Sequence, residues 1–113
     1  MRKTDKKIDN QLSLALTRVC DSALEQIDGF QWLTHMVDYS NCPKSLKVVC
    51  IFDTNDNLSD FMASGGHHEL TSLIRARLHG VVADVKNMAD HILYDTEEDC
   101  AKYHNGKWTD RLI

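Results

Sequence analysis

Two tetrapeptides echo each other. Ile51-Phe52-Asp53-Thr54 and Leu93-Tyr94-Asp95-Thr96 each close an apolar run with aromatic-Asp-Thr, and acidic residues follow both. Carboxylates at the ends of two strands are hard oxygen ligands for a divalent cation, or an acid and a base if one of them holds a proton. Asp and Thr are also preferred helix N-caps, and Thr96-x-x-Asp99 resembles a capping box with Asp in place of Glu. Capping needs no relation between Asp53 and Asp95, whereas a shared site needs them within about 6 Å.

Three further constellations could carry chemistry. Cys100 and His104, one helical turn apart, share a helix face and could ligate one metal, with His67, His68 or Cys42 supplying the remaining ligands. Cys42 stands beside Lys44, an electropositive setting of the kind that activates a thiol, and His35 on the preceding run could approach it. Phe30, Trp32 and Tyr39 could stack on bases, but Trp32 alternates in phase with Phe30, Thr34 and Met36, which predicts a buried face. The sequence has no GxGxxG, GxxxxGK[ST], GxSxG or HExxH motif. Its four cysteines, Cys20, Cys42, Cys50 and Cys100, form no C-x-x-C pair and read as thiols.

The elements that must position these residues follow from periodicity. Ile8, Leu12, Leu16, Val19, Ala23 and Ile27 recur every three or four residues, the stripe of an amphipathic helix over residues 5–28 that Gly29 closes. Phe30 to Tyr39 and Leu46 to Asp53 read as two strands of an antiparallel hairpin around a loop with the one proline. The second run is apolar on nearly both faces, so it should be a central strand. A short helix after Thr54 ends at Gly65-Gly66, and a second, carrying Leu70, Leu73, Ile74 and Leu78, ends at Gly80. Val81 to Lys86 alternates as a half-buried strand, His91 to Asp95 reads as another, and Thr96 caps a last helix over Glu97 to His104. The order is α-β-β-α-α-β-β-α, which predicts an α+β fold with a mostly antiparallel four-stranded sheet packed by helices.

At 113 residues, 42% hydrophobic and 27% charged, the chain has the length and balance of one globular domain. The longest unbroken apolar run, Val48 to Phe52, is far too short to span a membrane, and no signal-like apolar stretch follows the polar start, so a cytoplasmic protein is expected. The net charge of −4 is unevenly spread. Residues 1–7 carry Arg2, Lys3, Lys6 and Lys7 against Asp5, and the rest of the chain is acidic. Contact with nucleic acid would therefore use this basic start or one local patch.

Several stretches spread over most of the chain, among them Met1-Arg2-Lys3-Thr4-Asp5-Lys6-Lys7, Gly29-Phe30-Gln31-Trp32-Leu33-Thr34-His35, Ser45 to Thr54, Asp95-Thr96-Glu97-Glu98 and Gly106-Lys107-Trp108, resemble small bacterial proteins of about this length described as Fis family transcriptional regulators. The resemblance implies a bacterial DNA-binding regulator. Fis-like proteins resemble a helical dimer ending in a basic helix-turn-helix; here two strands occupy the middle, and Glu97-Glu98-Asp99 stands where a recognition helix would carry Arg and Lys. The residues themselves favour a non-catalytic binding or regulatory module without a cofactor, acting on a protein partner or by self-association. The alternatives are a nucleic-acid-binding regulator and a cation-dependent enzyme built on Asp53 and Asp95.

Four phosphate contacts from the N-terminus would give a salt slope of only about −3.6 on duplex DNA. Binding of random-sequence duplex, followed by fluorescence anisotropy at two salt concentrations, should be no tighter than about 10⁻⁴–10⁻⁶ M at physiological salt. Nanomolar binding that Lys6→Glu/Lys7→Glu abolishes would instead make this a nucleic-acid-binding protein.

Overall fold

The computed structural model describes residues 3–42, 44–82 and 85–112. The apolar stripe forms α1 (Lys3–Gln26), whose Leu12, Leu16, Val19 and Ala23 are buried. At 1.5 Å per residue its length is about 36 Å, close to the 40 Å long axis of the molecule. Gly29, at φ +85°, turns the chain into β1 (Phe30–Met36). β2 (Lys47–Phe52) runs antiparallel to β1, with Leu33 opposite Cys50 and His35 opposite Val48. Then follow α2 (Asn55–Ala63), α3 (Gly66–Leu78), β3 (Ile92–Thr96), α4 (Glu97–His104) and a short α5 (Trp108–Arg111).

The class is α+β, but the sheet differs from the expected one. It has three strands in the order β1-β2-β3, and β3 lies parallel to β2, with Cys50 opposite Tyr94 and Phe52 opposite Thr96. The strand expected over Val81–Lys86 is missing from the described residues. His79 and Val82 make an isolated bridge, while Ala83 and Asp84 lie outside the described residues. Val81, Val82 and Val85 instead pack as loop side chains against the core, between two left-handed turn residues, Gly80 and Asn87. Their apolar character reports burial of a loop, not a ladder. Without a strand at this point, the chain crosses over through α2 and α3 and returns parallel, as a parallel pair requires. The all-helical arrangement that the resemblance implies is not the one observed.

β1 also ends earlier than its composition suggests. Asp38 accepts the Ser40 backbone N–H at 3.0 Å and caps a 3-10 turn over Tyr39–Asn41, so Tyr39 leaves the strand. Within β1 a bulge lies between Phe30 and Trp32. Because side chains alternate along a strand, the extra residue reverses the phase of everything after it. Phe30 stays in the main core with Val48, Cys50 and Phe52, beneath α1 and α3. Trp32, opposite Ile51, goes to the other face, which corrects the expectation that it shares a face with Phe30.

That second face is closed by the end of the chain. Val49 and Ile51 are 2% and 0% exposed although they lie outside the main core cluster. Trp108 meets Trp32 edge-to-face, with ring centroids 5.1 Å apart. Both indole N–H groups donate to Glu97, Trp32 Nε1 at 2.7 Å and Trp108 Nε1 at 3.0 Å. One carboxylate at the start of α4 thus ties α5 to β1. Edge-to-face aromatic pairs contribute about 0.5–1.5 kcal/mol beyond their burial. A double-mutant cycle on Trp32→Ala and Trp108→Ala, by urea unfolding, should give a coupling energy of at least about that size. Additive losses would mean that α5 does not rest on β1.

Candidate functional site

Parallel pairing of β2 with β3 brings the two echoing tetrapeptides side by side. At each strand end the Asp carboxylate accepts the N–H of the following Thr, Asp53 from Thr54 at 2.7 Å and Asp95 from Thr96 at 2.8 Å. Each Thr hydroxyl then caps its helix, accepting the N–H of Asn57 and of Asp99, both at 3.1 Å. Capping was legible from the residue types.

The cross-connection between the two junctions was not legible. Asn55 accepts from the Thr96 hydroxyl at 2.7 Å and donates through its amide to Asp99 at 2.8 Å. Its backbone N–H donates to Glu98 at 3.1 Å, so a carboxylate from α4 sits at the positive N-terminus of α2. The Glu98 N–H returns to the Asp53 carbonyl at 3.0 Å. Nothing in the sequence marks Asn55, because its partners lie more than 40 residues away.

The two aspartates are engaged separately. Asp53 accepts from the Asn57 amide at 2.9 Å, and this bond, with help from Thr54, holds its carboxyl below the usual carboxylate range. Asp95 receives a two-pronged guanidinium bond from Arg111, Nε at 2.5 Å and Nη2 at 2.9 Å. Asp99 lies 3.8 Å from Arg111 Nη2, and Arg111 Nη1 points at His104 Nδ1 at 3.2 Å. Arg111 therefore occupies the place a cation would take beside Asp95, and it also takes the ring nitrogen of His104. Cys100, the intended partner of His104, is fully buried; its thiol is pushed up by burial first and by Glu97 next. Among the described residues no three His, Cys, Asp or Glu side chains gather to hold a metal ion.

The remaining candidates are placed as follows. Cys42 is half-buried, and burial together with Asp5 raises its thiol, opposite to what a nucleophile needs. His35 turns away to Asp9, 3.0 Å from Nε2, and the same carboxylate accepts the Tyr39 hydroxyl at 2.6 Å. Phe30 is buried, Tyr39 is tied to Asp9 and Trp32 rests on Trp108, so the three aromatics do not form a common stacking face. Lys3, Lys6 and Lys7 are exposed on the first turns of α1, and Arg2 lies outside the described residues. His68 is exposed as expected of a surface pair, but His67 is half-buried, with Nδ1 unpartnered among the described residues.

The feature missed by sequence reasoning is a cavity of about 550 Å³ between the C-terminal end of α1, α2 and the start of α3. Ala23, Ile27, Phe61, Leu70 and Leu73 supply its apolar lining, and Asp28, Asp60 and Glu69 its charges. The lining holds no Lys or Arg. The three carboxylates have no ion pair among the described residues. They are 28, 60 and 69 in a chain where only the tertiary fold makes them neighbours. The cavity adjoins the junctions through Asn57, which lines it and donates to Asp53. Gly29 keeps this corner tight: a Cβ there would lie 2.7 Å from Asn57 Cβ and from Asp53 Oδ1.

Comparison with models of protein families, with curated proteins and with solved structures gives no match.

Asn57→Ala removes the donor that lowers Asp53. It should cost about 0.5–1.5 kcal/mol at pH 7, the usual value of one such bond. A depressed folded-state pKa stabilises above the unfolded value of about 3.9, and that stability is lost as pH falls through the folded value. The gap between wild type and variant should therefore be full above about pH 5 and close toward pH 3. Urea unfolding at pH 7, 5 and 3 checks this; an unchanged gap at pH 3 would refute the role given to Asp53.

Proposed function

We propose that this chain is a non-catalytic binding module that takes a basic, partly apolar segment of a partner protein in the groove between α1, α2 and α3. The observation that carries this reading is the combination of an apolar floor with three carboxylates that hold no ion pair among the described residues. A lysine or arginine neighboured by apolar side chains would satisfy both parts. Its chain carbons would cover Phe61 and Leu73 while its charge met Asp28, Asp60 and Glu69. The polar network at the strand ends supports the same reading from the other side. Its acids, its guanidinium and its histidine are bonded to one another, which leaves them in the role of scaffold.

The expected partner class can be tested with two synthetic peptides of alternating Leu and Lys or Leu and Glu. In heteronuclear NMR of the labelled chain, the Lys peptide should shift amides of residues 22–28, 57–64 and 66–73, and the Glu peptide should not. Exposed ion pairs contribute about 0.2–1 kcal/mol each, so Asp28→Asn/Asp60→Asn/Glu69→Gln should weaken binding by about 3- to 140-fold. Equal shifts with both peptides, or shifts that avoid the groove, would reject the proposal.

A further inference from the structure

The solvent face of α1 has its charges in the order a lone helix disfavours. Lys3 and Lys7, one turn apart, are exposed at its N-terminal end, and Asp21 and Glu25, also one turn apart, are exposed at its C-terminal end. Like charges four residues apart repel, and each pair also opposes the helix dipole, whose positive end is at the N-terminus. None of these four side chains holds an ion pair among the described residues. Leu14 lies midway between the pairs on the same face and is 68% exposed, the most exposed large apolar side chain described. Arg18, exposed three residues before Asp21, and Asp5 in the first turn offset the pattern only in part, one charge against two at each end. Asp9 is turned inward to His35 and Tyr39, so it does not compensate the lysines.

An antiparallel copy of the same helix reverses every one of these terms. With Leu14 packed on the second copy's Leu14 at a two-fold axis, Lys3 comes opposite the second copy's Glu25, and Lys7 opposite the second copy's Asp21. The two-fold repeats both pairs, and the two helix dipoles run antiparallel. Such a contact is isologous: one self-complementary patch, used twice. We propose that α1 is a self-association surface, and that the partner on it is a second copy of this chain in antiparallel register about Leu14. This surface is distinct from the groove, which lies beside the inward-facing Ala23 and Ile27, so the two proposals stand separately.

The test is sedimentation equilibrium of the full chain with circular dichroism to verify helix content in each variant. At about 0.1 M salt, where charges act over about 10 Å, a concentration-dependent dimer is expected. At about 1 M salt, where the reach falls to about 3 Å, it should weaken. Lys3→Glu/Lys7→Glu sets acid opposite acid at all four contacts and Asp21→Lys/Glu25→Lys sets base opposite base, so each alone should be monomeric. Mixed in equal amounts they should form a one-to-one heterodimer. Leu14→Glu should raise the dissociation constant by about tenfold or more. A wild-type chain still monomeric at about 1 mM would overturn the proposal. So would a dimer indifferent to both charge reversals, or a mixture that stays monomeric.

Discussion

The strand β2 is buried on both faces, and the rest of the architecture answers that constraint. From Val48 to Phe52 no side chain is more than 2% exposed. A strand with two apolar faces must sit in the middle of a sheet and must have something over each face. α1 and α3 cover the side of Val48, Cys50 and Phe52, where Phe52 packs edge-on to Phe30, with 5.8 Å between ring centroids, and against Phe61. The side of Val49 and Ile51 is left to the C-terminal elements. Burial at about 25 cal/mol per Å² of apolar surface is the dominant favourable contribution here, and the polar clamps decide where it is realised. The Glu97 carboxylate between two indoles, and the Asp95–Arg111 fork behind it, hold α5 where it closes the second face.

The repeated strand–Asp-Thr–helix unit explains how a chain with so few glycines and one proline turns so sharply. Each Asp satisfies the N–H of the Thr at its strand's end and each Thr satisfies one inside the helix. Orphan donors at helix starts are thereby used up locally. Asn55 then couples the two units, since its side chain reads the second while its backbone belongs to the first. The acids that look like ligands in the sequence are structural partners of these donors, and the carboxylates of the groove beside α2 hold no ion pair among the described residues. Bonded and unpaired carboxylates thus lie at different places in the fold, which residue type alone does not separate.

Much of the fold was written in local pattern. The helix stripe from Ile8 to Ile27, the two-faced β2, both Thr caps and the closing role of Gly29 follow from spacing and residue preference, and each lies within a residue or two of its place. What was lost depends on non-local or single-residue events. The bulge after Phe30 is invisible to a period-two reading, yet it moves Trp32 to the opposite face. Val81, Val82 and Val85 imitate a strand because a loop that packs on a core is rich in the same β-branched residues. With that strand discounted, the crossover through α2 and α3 becomes a parallel connection, and strand order changes with it. The groove was illegible for a simpler reason: Asp28, Asp60 and Glu69 belong to three separate helices or their ends and share no spacing.

The parallel partner of β2 also has a temporal meaning. Residues 3–52 contain α1, β1 and β2, so a hairpin with its helix can assemble as soon as they have left the ribosome. The second edge of β2 must then wait for Ile92–Thr96. At synthesis rates of about 5–20 residues per second, the roughly 40 residues between them occupy about two to eight seconds. For that interval Val48-Val49-Cys50-Ile51-Phe52 presents an unpaired, uncharged, proline-free edge, the kind of segment that templates intermolecular pairing. Lys47 and Asp53, which bracket it, are the charges placed to discourage a second nascent chain from completing the sheet before β3 does.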